Sequence, residues 1–131
     1  MLRNAVSETN PCIGDQVRFW IAGAPAYHWF ESITNRLSGA PVTGFPHRLY
    51  THVALAMYHA TVAACESKYF YNRQRPPQLD PTLNRRLPTP HRPSYLSEDA
   101  AMPAAAATVL AYLFPNEATT FQAMAKEASK S

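Results

Sequence analysis

KYFYNRQRPPQLDPTLNRRLPTPHRPSYLSED, from Lys68 to Asp99, is the stretch around which the chain is organised. It holds six of the twelve Lys and Arg residues, against three acids, and six of the twelve prolines. Apolar segments of helical pattern lie on both sides. Plain connections between helices are short, so a long cationic loop stiffened by proline signals a role of its own. Arg presents a planar fork of donors suited to a phosphate-like anion, and Lys presents a point charge. Ser97 precedes an Ala-rich run. At a helix N-terminus it offers a hydroxyl beside free backbone N–H groups, which is where anions settle. The loop therefore reads as an oxyanion cradle.

Outward from the loop, the pattern is helical throughout. The long apolar run from about His47 to Tyr71 predicts the longest helix. Leu49, Val53, Ala56, Ala60 and Ala63 recur along it at steps of four and three. Lys68 falls near its C-terminal end, where the helix dipole favours a cation. Upstream, Trp29, Ile33 and Leu37 repeat every four residues and predict a helix from about Ala26 to Leu37. Gly23-Ala24-Pro25 separates it from a first helix capped by Asp15, with Val17, Trp20 and Ile21 on one face. Residues 1–14 read as an irregular lead-in. Downstream, Ser97 predicts an N-cap, with Glu98 and Asp99 in the first turn. Pro103 lies past that turn and is expected to kink the helix or delay its start. Val109, Leu110 and Leu113 supply the apolar side of this helix. Phe114-Pro115 stops it, and Asn116 caps a last helix facing the core with Ala118, Phe121, Ala125 and Ala128. The expectation is an all-α bundle of about five helices, with residues 15–131 as one domain.

Composition bounds the function. With 131 residues and 47% hydrophobic residues, the chain can build one real core. A net charge of +3 favours anions locally but lacks the dense basic face of a nucleic-acid binder. No eighteen-residue apolar window predicts a membrane span, and no signal peptide follows Met1, so a soluble protein is expected. Cys12 and Cys65 are too few for a disulfide framework and read as free thiols, with a single bridge the alternative. His52 and His59 are seven apart, whereas ligand pairs on a helix use three or four. They read as core or surface residues. His28 and Glu31 suggest a local contact, and His91 a loop residue within reach of an anion.

The motifs of the central loop resemble those of the superfamily of type 2 phosphatidic acid phosphatases, bacterial acid phosphatases and vanadium-dependent haloperoxidases. Lys68, Arg75 and Pro76 match its K-x6-R-P element. Pro93-Ser94-Tyr95-Leu96-Ser97-Glu98-Asp99-Ala100 is similar to its P-S-Y-P-S-G/E-H-A element, with Ser97 at the serine and Asp99 where the family has histidine. Ala125 to Lys130 resembles the approach to a third element, S-R-x5-H, of which Ser131 would be the serine and whose Arg and His would follow the end of this chain. The soluble haloperoxidase-like branch is the nearest match.

The resemblance implies a helical bundle with an oxyanion site at its helix ends. It implies that Lys68 and Arg75 hold oxygens of phosphate or vanadate, and that Ser97 hydrogen-bonds one of them. Asp99 would stand at the general acid–base position. An Asp is anionic at neutral pH and repels an oxyanion unless protonated or paired with an Arg. The expected function is phosphate or vanadate binding, without turnover by this chain alone. The alternatives are a catalytically dead interaction module, or half of an active haloperoxidase or phosphatase completed by another chain. A bundle incomplete at its C-terminus also predicts an exposed apolar face, and hence a homo-oligomer or a complementary partner chain.

Overall fold

The computed structural model describes Asp15 and residues 18–20, 25–39, 46–83 and 91–129. All regular structure among them is helical. Five α-helices follow one another: α1, Pro25–Ser38; α2, Pro46–Tyr71; α3, Pro76–Leu79; α4, Glu98–Leu113; and α5, Ala118–Ala128. A 3-10 turn, Pro115–Glu117, joins the last two. Asp15 and residues 18–20 are also helical. The lead-in at 1–14, Cys12, Val17, Ile21, the Gly23-Ala24 break, Gly44-Phe45, Arg85, Arg86 and Ser131 fall outside the described residues.

Prolines set the helix starts. Pro25, Pro46 and Pro76 each open an α-helix, and Pro115 opens the 3-10 turn. At a first helical position the missing N–H costs nothing and the fixed φ is already helical. Pro25, expected to break a helix, therefore begins one. Pro103 differs. It lies inside α4 and is fully buried, yet α4 starts at Glu98, five residues before it. The expected delay does not occur. The hydrogen bond that Pro103 cannot donate is the one to the carbonyl of Asp99, in the first turn, where little of the helix ladder is lost.

α4 is the central helix of the core, with α2 and α5 packed on it and α1 contributing Trp29 and Ile33. Trp20, Trp29, Ile33, Val53, Met57, Ala106, Ala107, Leu110, Phe121 and Ala128 form one buried cluster. α4 packs chiefly on α2 and α5, and its alanines let the neighbouring helices come close. Trp29 and Ile33 are fully buried, as their spacing predicts, and Phe121 and Ala128 face inward on α5. The buried line of α2 differs from the expected one. It runs through Val53, Met57, Ala64 and Lys68, while Ala63 is exposed. Leu113, expected on the apolar side of α4, is also exposed.

The final helix is capped by Glu117, not Asn116, which lies within the 3-10 turn that Pro115 starts. The Glu117 carboxylate makes no capping bond and turns to Arg36 of α1. Arg36 Nε donates to Glu117 Oε2 at 2.7 Å, and Arg36 Nη1 donates to the Ser32 hydroxyl at 2.5 Å. The guanidinium also lies 4.5 Å from the centre of the Phe121 ring.

Candidate functional site

α2 ends where a left-handed residue becomes possible. Asn72 has φ 45°, a conformation that Asn tolerates better than most residues, and its N–H closes the last turn on the Lys68 carbonyl at 2.9 Å. The chain then leaves through Arg73, Gln74 and Arg75 into α3. The returning segment is fastened against this exit. Ser94 N donates to the Arg73 carbonyl at 2.9 Å. Arg75 Nε donates to the Arg92 carbonyl at 2.6 Å, with Nη2 at 3.5 Å from the Pro93 carbonyl. The Arg73 guanidinium lies 5.1 Å from the centre of the Tyr95 ring, and Tyr71 meets the same ring edge-on. These contacts bring the end of α2, both ends of the central loop and the start of α4 to one place.

At that place Lys68 is buried, with only 2% exposure. A lysine is almost never buried so completely unless it is paired. Its partner is Glu98, 7% exposed, in the first turn of α4. Lys68 Nζ donates to Glu98 Oε2 at 2.5 Å. The other carboxylate oxygen, Glu98 Oε1, ion-pairs with Arg92 Nη1, whose side chain remains 42% exposed. The Cys65 thiol, which is free, lies 3.9 Å from Glu98 Oε2. One carboxylate at a helix N-terminus is thus held by two cations from two different elements.

The four residues singled out from sequence are treated differently by the fold. Lys68 is at the centre of the cluster. Arg75 is joined to it through the Arg92 backbone, with its guanidinium turned to main-chain carbonyls rather than to Lys68. Ser97 sits at the N-cap of α4 in an extended conformation, φ −82° and ψ 113°, but its exposed hydroxyl makes no capping bond. Asp99 is exposed in the first turn and, among the described residues, has no ion-pair partner. The Arg pairing envisaged for Asp99 is instead made by its neighbour Glu98.

Arg92 also lines a polar cleft with Asn72, Arg73, Gln74, Gln78 and His91. Its volume is about 360 Å³, enough for a tetrahedral oxyanion with water, and no acid lines it. The other histidines that bear on the reading lie elsewhere. His52 and His59 are exposed on α2, and His28 meets Glu31 at 3.9 Å while its Nε2 donates to the Phe19 carbonyl at 2.7 Å. Among the described residues no three His, Cys, Asp or Glu side chains gather closely enough to hold a metal ion. No described helix is long and apolar enough to cross a membrane.

Sequence reasoning missed Glu98 and Arg92 as members of the cluster. Their signal was indirect. A motif lysine that the fold buries must find a counter-ion, and Glu98 is the acid next to the motif serine. Comparison with protein families, with curated proteins and with solved structures finds no match to this chain.

Proposed function

We propose that this chain is an oxyanion-binding helical domain related to the acid phosphatase and vanadium haloperoxidase superfamily. In this reading phosphate or vanadate is held by Lys68 and Arg75 together with Arg92, with Ser97 donating from the start of α4. The observation that supports it most directly is the gathering of Lys68 and Arg92 around one carboxylate at a helix N-terminus. Two cations and the positive end of a helix dipole are complementary to an anion of more than one charge. A vanadate or phosphate group suits the same donors, since both present oxygens to cations and N–H groups. The proposal is one of binding rather than turnover. Asp99 carries a negative charge where the resembling family has a histidine, and a negative charge there opposes both anion binding and proton donation at neutral pH.

Calorimetric titration with phosphate and with vanadate tests the reading. Binding of at least one anion is expected, together with its loss in Lys68→Met. No binding of either at millimolar concentration sinks the proposal. Peroxide-dependent bromination with vanadate, and phosphate-ester hydrolysis, are expected to be absent. Turnover in either assay would show that Asp99 does not disable the site.

A second reading rests on α2. Leu55, Tyr58, Val62 and Tyr69 are exposed and recur at steps of three, four and seven, which places them on one helix face. We propose that two copies of the chain meet through this face. Sedimentation over a range of concentrations checks it: a dimer should grow with concentration, and a monomer throughout would remove the reading.

A further inference from the structure

Lys68 raises a question that the oxyanion reading alone does not answer. A domain that waits for an anion must spend time without one. An ammonium buried this deeply is strongly destabilised when it has no counter-ion. Glu98 supplies that counter-ion from within the chain. Its two oxygens reach Lys68 and Arg92 separately, one oxygen to each cation. That is how a bridging oxyanion would divide its oxygens between the same two donors. A carboxylate, however, brings one negative charge to a place where two cations and a helix N-terminus converge. Lys68, Arg92 and Glu98 together still sum to one positive charge, and the exposed Asp99 of the same turn is not paired with them. Beside it, the polar cleft lined by Arg73, His91 and Arg92 contains no acid and opens on the partly exposed Arg92. An anion arriving through the cleft therefore meets Arg92 first and competes with Glu98 for it.

We infer that the Glu98 carboxylate is an internal stand-in that occupies the oxyanion site of this chain and is displaced by phosphate or vanadate. This inference rests on the oxyanion reading and adds to it a built-in competitor. Glu98 keeps the bundle stable while the site is free of ligand and sets a threshold that only a more highly charged anion passes. Glu98 is thus a residue that tunes affinity, acting through Lys68 and Arg92.

The test is phosphate titration of the wild-type chain, of Glu98→Gln, and of Glu98→Gln combined with Lys68→Met. Glutamine keeps the size of the side chain and removes its charge. If Glu98 holds the site closed about nine parts in ten, Glu98→Gln binds phosphate about tenfold more tightly than wild type. The added Lys68→Met should abolish the gain. Phosphate should also raise the melting temperature of Glu98→Gln more than that of wild type. Equal or weaker binding by Glu98→Gln, with Lys68-dependent binding by wild type, overturns the stand-in and leaves the oxyanion reading intact. Absence of binding in both overturns the two together. Should Glu98→Gln fail to fold, the wild-type chain carries the test by itself. In protein labelled with ¹³C at glutamate, the Glu98 carboxyl resonance is expected to move as phosphate saturates. A resonance that stays fixed at saturation overturns the inference.

Discussion

Lys68 is the residue through which packing and chemistry meet. Its methylenes lie in the buried line of α2, and its charge ends on Glu98. Removing Lys68 leaves the buried Glu98 with the half-exposed Arg92 alone to balance it. Lys68→Met is therefore expected to destabilise the fold by about 3 kcal/mol, read from chemical denaturation. Removing both charges costs less than the sum of the two single changes, so Lys68→Met with Glu98→Gln should show favourable coupling in a double-mutant cycle. Arg92→Ala should cost only about 1 kcal/mol, because its side chain is 42% exposed and water screens the pair. A strictly additive cycle would show that the pair is not coupled. The resemblance grouped Lys68, Arg75 and Ser97 into one set. Their separate surroundings were not legible in the sequence. A lysine in the last turn of a helix gives the same local signal whether it faces solvent or core. Glu98 and Asp99 are adjacent acids in one first turn, and both suit the helix dipole. Only the approach of α2 to α4 decides that Glu98 is the one that pairs.

Among the elements, α1 and α5 were the plainest to read and α2 the least plain. Trp29, Ile33 and Phe121 are large residues among polar ones, so their spacing fixes which side faces inward. α2 carries alanines, aromatics and aliphatics on most sides, and alanine fits either face. Its period was evident but its rotation was not, hence the shift from Ala60 and Ala63 to Met57, Ala64 and Lys68. The same contrast ranks the substitutions. Phe121→Ala is expected to cost about 3–5 kcal/mol, since it empties a fully buried ring site that also supports Arg36. Ala106→Leu should cost about 1–3 kcal/mol by overpacking the close approach of α4 to its neighbours, with helix content unchanged by circular dichroism. A neutral Ala106→Leu would mean that the approach has room to spare. Pro103 shows what local rules miss. A proline interior to a helix is costly by propensity, yet this one is buried and falls where its missing bond touches only the first turn.

For the whole molecule, an all-helical bundle was legible from the steps of three and four along every apolar segment. The fastening of the central loop was not, because it relies on backbone carbonyls of Arg73, Arg92 and Pro93, which carry no residue-type signal. The exposed face of α2 belongs to this scale as well. Val62→Lys places a charge in the middle of that face. If two copies meet there as proposed, it should weaken the dimer by about tenfold or more while leaving the melting temperature of the monomer within error. Unaltered association would move the contact elsewhere. α1, finally, is joined to the rest by Trp29, Ile33, the contacts of Phe30 and Thr34 with Tyr50, and the bridge from Arg36 to Glu117, while α4 packs far more extensively on both α2 and α5. Such unequal attachment divides the molecule by how readily its parts come undone. α1 should lift away as a unit while the other three helices hold, so its amides should exchange with deuterium through openings of lower free energy than those of α4. Native-state exchange measured helix by helix would display two cooperative layers in a chain whose core is continuous, and a single shared opening energy would show that it yields all at once.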